Sequence, residues 1–223
     1  MDLLAKFDDA ARGRVGQAIR DAETKTKAEI LPVVAKSSGT YDRAEDIVGL
    51  WFGGTAVGVA WLFQGVSNDA TWSGAPEIRI GFWILLAIFV VGFIVGVVCA
   101  DRIVWLRRLF IPSTELEART RVRSKTVFFD RRLHLTSGRT GVLLFVSLFE
   151  RRVVVLADES VAEALSERDL EEVRDEILGG LKEQDLCKAL VKGVQRIGNL
   201  LGTPLPAEGD RVDEIPSEVV ILD

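Results

Sequence analysis

Two stretches without a single charged side chain, residues 47–68 and 80–100, constrain this chain more than any other feature. An α-helix of about 20 residues rises about 30 Å, the thickness of a bilayer's hydrocarbon core. A chain of 223 residues has too little other material to wrap two such helices on all sides. They are therefore expected to be transmembrane helices, spanning about 47–66 and 80–100 and forming a hairpin over 46–101. The second span is the stronger. Its Ile80, Phe82, Ile84, Leu85, Leu86, Ile88, Phe89, Val90, Val91, Phe93, Ile94, Val95, Val97 and Val98 sum to roughly −4 to −8 kcal/mol of insertion free energy. The first is diluted by Gly49, Gly53, Gly54, Gly58, Thr55 and Gln64, so it is expected to insert with help from the second.

The flanks set an orientation. Trp51, Trp61, Trp72, Trp83 and Trp105, all five tryptophans of the chain, lie in or beside the spans, and indole rings favour the membrane–water interface. Arg102, Arg107, Arg108, Arg119, Arg121, Arg123 and Lys125 follow the second span, and Lys27, Lys36 and Arg43 precede the first. The loop over about 67–79 carries only Arg79. Basic residues stay on the cytoplasmic side, so both termini are expected there, in a bacterial cytoplasmic (inner) membrane. Met1–Phe7 is short and runs into Asp8 and Asp9, so no signal peptide is expected. Cys99 ends a span and Cys187 falls in a helical pattern, which does not suggest a disulfide.

Outside the spans the pattern is mixed α/β. Phe7, Ala11, Val15, Ile19 and Ala22 recur at helical spacing. Residues 29–35 read as a strand in which Pro32 predicts an edge position or a bulge. A basic helix over about 113–130 is expected to cross over to a second, parallel strand, 142–149. A turn at Glu150-Arg151 then gives an antiparallel partner, 152–156. Ser166 with Asp169 reads as a capping box for one amphipathic helix, and a second is expected over about 185–201. Residues 1–45 and 102–202 are expected to form one cytoplasmic domain, because two crossings return the chain to the side it left. Residues 203–223 read as an acidic tail whose Ile215, Val219, Val220, Ile221 and Leu222 allow it to dock.

Three motifs in order carry a family resemblance. Ala28-Glu29-Ile30 follows a helix ending in Thr24-Lys25-Thr26; Thr140-Gly141-Val142-Leu143-Leu144 opens the second strand; Glu150-Arg151-Arg152-Val153 forms the hairpin. Together they resemble the TPM domain, over about residues 5–45 and 115–202, with Glu29, Gly141, Glu150, Arg151 and Arg152 as motif positions. The chain is most similar to the bacterial membrane-embedded branch of that family. The resemblance implies a TPM-like α/β sandwich with a small mixed sheet and the transmembrane hairpin inserted after its first strand.

Some TPM proteins are phosphatases or hold divalent cations through carboxylates. Here the chain departs from the family. Many members carry an acidic or amide pair where this one has Arg139-Thr140, and a glycine-rich turn where it has Ala157-Asp158-Glu159-Ser160. Asp158 and Glu159 are the candidate ligands for Ca²⁺ or Mg²⁺; the alternative is a solvated loop with an acidic start to the next helix. Glu29 with Arg151 or Arg152 reads as a functional pair or as an ion pair between neighbouring strands. His134 is the chain's only histidine, which leaves little material for zinc sites or thiol–imidazole dyads.

Partners follow from charge and small-residue spacing. Basic residues gather in 102–132, where they suit anionic lipid headgroups. A net charge of −5 and the lack of a basic–aromatic groove pattern argue against nucleic acid. Gly49 and Gly53, Gly54 and Gly58, and Gly92 and Gly96 allow close helix approach, either between the two spans or in a homodimer. No charge lies mid-span, so an ion pathway has no support. The residues favour a membrane-anchored interaction or quality-control module without catalysis, its membrane or cytoplasmic protein partner unspecified. The resemblance offers the alternative of a divalent-cation-dependent phosphatase.

Overall fold

In the computed structural model, residues 7–69, 81–103, 108–207 and 214–222 are described. Trp72, Ser73, Arg79, Trp105, Arg107 and most of the 67–79 loop lie outside them. The chain divides into two compact units, one built from Met1–Gly39 and Leu116–Asp223, the other from Thr40–Glu115.

The first unit is α/β. Helix α1 (Asp9–Glu23) starts where the Asp8 carboxylate accepts the Ala11 N–H at 2.8 Å, filling one of the donors that a helix start leaves open. It buries Ala11, Val15, Ala18, Ile19 and Ala22. Strand β1 (Glu29–Ala35) and strand β2 (Gly141–Ser147) pair in parallel, Glu29 opposite Gly141 and Ala35 opposite Ser147. Strand β3 (Arg152–Ala157) returns antiparallel to β2, and the tail adds β4 (Val220–Leu222) parallel to β1. The order is β3-β2-β1-β4. Both faces of the two central strands are covered, so they read as unbroken apolar runs rather than alternating ones. Ile30, Val34, Val142, Leu144 and Val146 pack under helix α1 and two later helices. Leu31, Val33, Leu143 and Phe145 pack on the opposite face with Val127, Phe128 and Leu133.

Pro32 needs a correction: β1 is an interior strand, not an edge. Its odd-numbered N–H groups point to β2, as the Glu29 N–H bonded to the Thr140 carbonyl demonstrates, and its even-numbered ones point toward β4. β4 pairs only from Val33 onward. Pro32 therefore aims its missing donor at the one part of β1 that β4 does not reach, where a proline costs no ladder bond.

The crossover to β2 ends in a helix at Ser113–Asp130, which follows two longer ones and is called α4 here. Gly141 opens β2 where the Leu133 carbonyl passes so close that any Cβ would collide with it, which accounts for glycine at the head of the strand. After β3 come α5 (Glu159–Ala164), α6 (Glu167–Lys182) and α7 (Leu186–Leu201). The Ser166–Asp169 capping box forms in both directions.

The second unit contains the two long helices, α2 (Asp42–Asp69) and α3 (Phe82–Arg102). Residues Arg43–Phe63 and Phe82–Arg102 are long and apolar enough to cross a membrane, with mean hydropathy 1.5 and 3.0. Only 17% and 6% of these stretches is buried, whereas the core helix of a soluble protein is mostly buried. The two pack glycine on glycine. A Cβ on Gly96 would lie 2.8 Å from the Gly49 Cα, and one on Gly92 would lie 3.0 Å from the Gly53 Cα. Gly54 and Gly58 are off this seam, since a Cβ on either meets nothing within 4 Å. Of the two glycine pairs in the first run, the hairpin uses the earlier one.

Candidate functional site

Open α/β sheets present ligands at the carboxyl ends of their parallel strands. In this chain that end holds a carboxylate locked by its own neighbours. Glu150, 1% exposed, sits in the β2–β3 turn. It accepts the Ser38 N–H at 2.8 Å, the Ser37 hydroxyl at 3.3 Å and the Ser147 hydroxyl. Ser38 Oγ in turn donates to Ser147 Oγ at 2.7 Å. Charge-assisted bonds of this kind are about twice as strong as neutral ones. They tie the segment after β1 to the hairpin. Ser147 is fully buried, so its hydroxyl is a structural donor rather than a nucleophile open to a substrate. Sequence reasoning singled out Glu150 but missed the three serines. The available signal was Ser37-Ser38-Gly39 directly after a parallel strand.

The neighbouring arginines part company. Arg151 occupies a left-handed conformation, φ 51°, which shapes the turn, and it is exposed. Arg152 reaches across to Glu117 of α4 at 3.2 Å. Neither belongs with Glu29. Parallel pairing sets Glu29 beside Gly141, while Arg152 lies opposite Ser147, roughly 20 Å away at the rise of a strand. The expected pairing is corrected, and its cause is topological: the first strand starts at the end of the sheet remote from the hairpin turn. Near Glu29, the buried Glu23 does the connecting work, accepting the Ile30 N–H at 3.3 Å and the Ser217 hydroxyl at 3.1 Å.

The cation candidates lie at that same remote end. Asp158 caps α5 by accepting the Glu159 N–H at 2.9 Å, and its other oxygen is buried without a partner among the described residues. The Glu159 carboxylate pairs with Arg139. Arg139, itself left-handed at φ 53°, therefore compensates the charge that Glu159 would offer a divalent ion. Among the described residues, no group of three or more His, Cys, Asp or Glu side chains is placed to hold a metal ion.

The remaining reactive types are accounted for by packing. His134 lies in a short 3₁₀ turn with its ring 5.0 Å from that of Phe129. Burial pushes the Cys187 thiol up, which disfavours the thiolate, and its sulfur faces the Ala11 carbonyl at 3.6 Å.

The site thus lies in an α/β domain, a mixed four-stranded sheet with helices on both faces and a buried glutamate in its hairpin turn. Comparison with known proteins gives two findings. A family model described as the TPM domain matches residues 104–200. The solved NMR structure of the BA42 protein from the psychrophilic bacterium Bizionia argentinensis shares the fold. Its TM-score is 0.56 at 17% identity, over 96% of this chain and 94% of that one. No curated protein sequence matches. The first motif, around Glu29, lies outside the matched stretch and joins it through the β1–β2 pairing.

Proposed function

We propose that this chain is a membrane-anchored TPM-domain protein, its α/β unit and both termini in the cytoplasm, acting as a non-catalytic interaction or quality-control module. The observation that carries this reading is the apolar surface of α2 and α3. Trp61, Phe63, Phe82 and Trp83 are 66–77% exposed around a glycine-packed seam, and hydrocarbon is the solvent that such a surface suits. The strands flanking this insertion in sequence share one sheet, which requires an even number of crossings. Against catalysis stand the Arg139–Glu159 pair, the capping role of Asp158 and the enclosure of Ser147 and Glu150.

The test has two arms. The chain should resist extraction by alkaline carbonate, and Ser166→Cys should be shielded from an impermeant thiol reagent in intact cells. Labelling of that cysteine from outside would refute the topology. For the absence of catalysis, hydrolysis of a generic phosphomonoester with Mg²⁺, Ca²⁺ or Mn²⁺ that is lost in Asp158→Ala would replace this reading with a phosphatase.

A further inference from the structure

Helix α4 is apolar on two opposite sides. One side, with Leu116, Thr120, Ser124, Val127 and Phe128, is buried. At 100° per residue, the direction opposite that stripe falls on Val122 and Phe129, with Lys125 beside them. Val122 is 66% exposed and Phe129 59%, and Leu135, just beyond the helix, is 64% exposed. A helix that only covers a sheet needs no second apolar ridge. Among the described residues no carboxylate pairs with Arg121, Lys125 or Arg132, all of them exposed. In contrast, Arg139, Arg152, Arg174, Arg196 and Lys188 each have an acidic partner.

We propose that this ridge is a docking face for an anionic lipid surface, with Val122, Phe129 and Leu135 dipping among the headgroups and Arg121, Lys125 and Arg132 meeting their phosphates. The proposal rests on the membrane-anchored reading. Two features select a bilayer over a protein partner. Apolar side chains flanked by unpaired cations are the signature of a helix that lies in the interface. Moreover, α4 begins at Ser113, shortly after α3 ends at Arg102, so an anchored α3 holds α4 within reach of headgroups at high effective concentration. Each well-placed basic residue favours the surface-bound state roughly fivefold, and three together roughly 100-fold.

The experiment uses the full chain in nanodiscs, with Cys99 and Cys187 replaced by serine and alanine. A bimane label is placed at Phe129→Cys, at Val122→Cys, or at Glu171→Cys on α6 as the reference. In discs of equal phosphatidylglycerol and phosphatidylcholine, headgroup-region doxyl lipids should quench positions 122 and 129 well above position 171. Pure phosphatidylcholine, or the triple change Arg121→Gln, Lys125→Gln, Arg132→Gln, should return them to the reference level. Quenching that ignores lipid charge, or a label shielded without doxyl quenching as under a second copy or a protein partner, overturns the proposal. Retention in the disc with position 129 unquenched sinks this proposal alone. Extraction of the unlabelled chain by carbonate removes the anchored reading as well.

Discussion

Both units of this molecule use glycine to bring backbones together, yet they do opposite things with the side chains around it. In the α/β unit, Gly198 lets α7 touch Ala22 of α1, and Gly180 lets α6 touch Ala189 of α7. Larger residues of the same core, such as Ile177, Leu190 and Ile197, are packed until none of their surface is left, as is Phe145 on the other face of the sheet. In the hairpin, Gly49 and Gly53 meet Gly96 and Gly92, while Trp83 and Phe63 turn outward at 77% and 70% exposure. Apolar content alone thus says little about where a helix resides. The side to which its large residues point is what separates a closed core from an open apolar surface.

The hardest test of this contrast is Phe145→Ala. Truncating a fully buried phenylalanine should cost about 3–5 kcal/mol, measured by urea unfolding in detergent. The matched change Trp83→Ala in the hairpin should cost under about 1 kcal/mol. Equal losses would erase the distinction. Next in size is Glu150→Ala, which leaves the Ser38 N–H and Ser147 hydroxyl without their acceptor. A loss of about 3 kcal/mol is expected by the same measurement, with much of it restored by Glu150→Gln. Full stability in the alanine variant would mean that the lock is dispensable.

The glycine seam gives a smaller and more selective effect. Gly96→Ala should loosen the hairpin by about 1–3 kcal/mol, because its Cβ would land on the Gly49 backbone. Gly54→Ala, with open space around it, should be neutral or slightly stabilising. Thermal unfolding of the pair in detergent reads both, and a reversed order would move the seam.

The smallest effect is electrostatic. Hydrogen bonds from Ser166 hold the Asp169 carboxyl below its usual range. A depressed carboxylate contributes stability that is present above its unfolded value of about 3.9 and is lost as pH falls through the lower folded value. Wild type should therefore exceed Asp169→Asn in stability near neutral pH, and the two unfolding curves should converge below about pH 4. A gap that persists in acid would assign the cap to geometry instead of charge.

Much of this architecture was legible in the sequence, and the failures share a cause. Uncharged length gave the two helices, the Ser166–Asp169 spacing gave a cap, and the apolar run 142–149 gave a strand parallel to the first. Local pattern sufficed there. Pro32 and Glu29 were misplaced because their roles depend on which neighbour arrives, and from which side. A parallel β1–β2 pair with a hairpin after β2 already places Glu29 far from Arg151 and Arg152, so that error was avoidable from topology. The seam of α2 was not, since Gly49 with Gly53 and Gly54 with Gly58 offer equal spacing on adjacent faces. The serines around Glu150 escaped because single hydroxyls carry no pattern until the strands that bear them are paired.

The parallel pairing of β1 with β2 also has a consequence in time. β1 ends at Ala35 and β2 begins at Gly141, so two adjacent strands leave the ribosome about 100 residues apart. At about 5–20 residues per second, β1 waits roughly 5–20 s for its partner. Throughout that interval Leu31, Val33 and Val34, all buried in the finished sheet, have nothing to pair with. A newly made chain is thus most vulnerable to aggregation and proteolysis at its N-terminal segment, and a chaperone that shields nascent strands would act there.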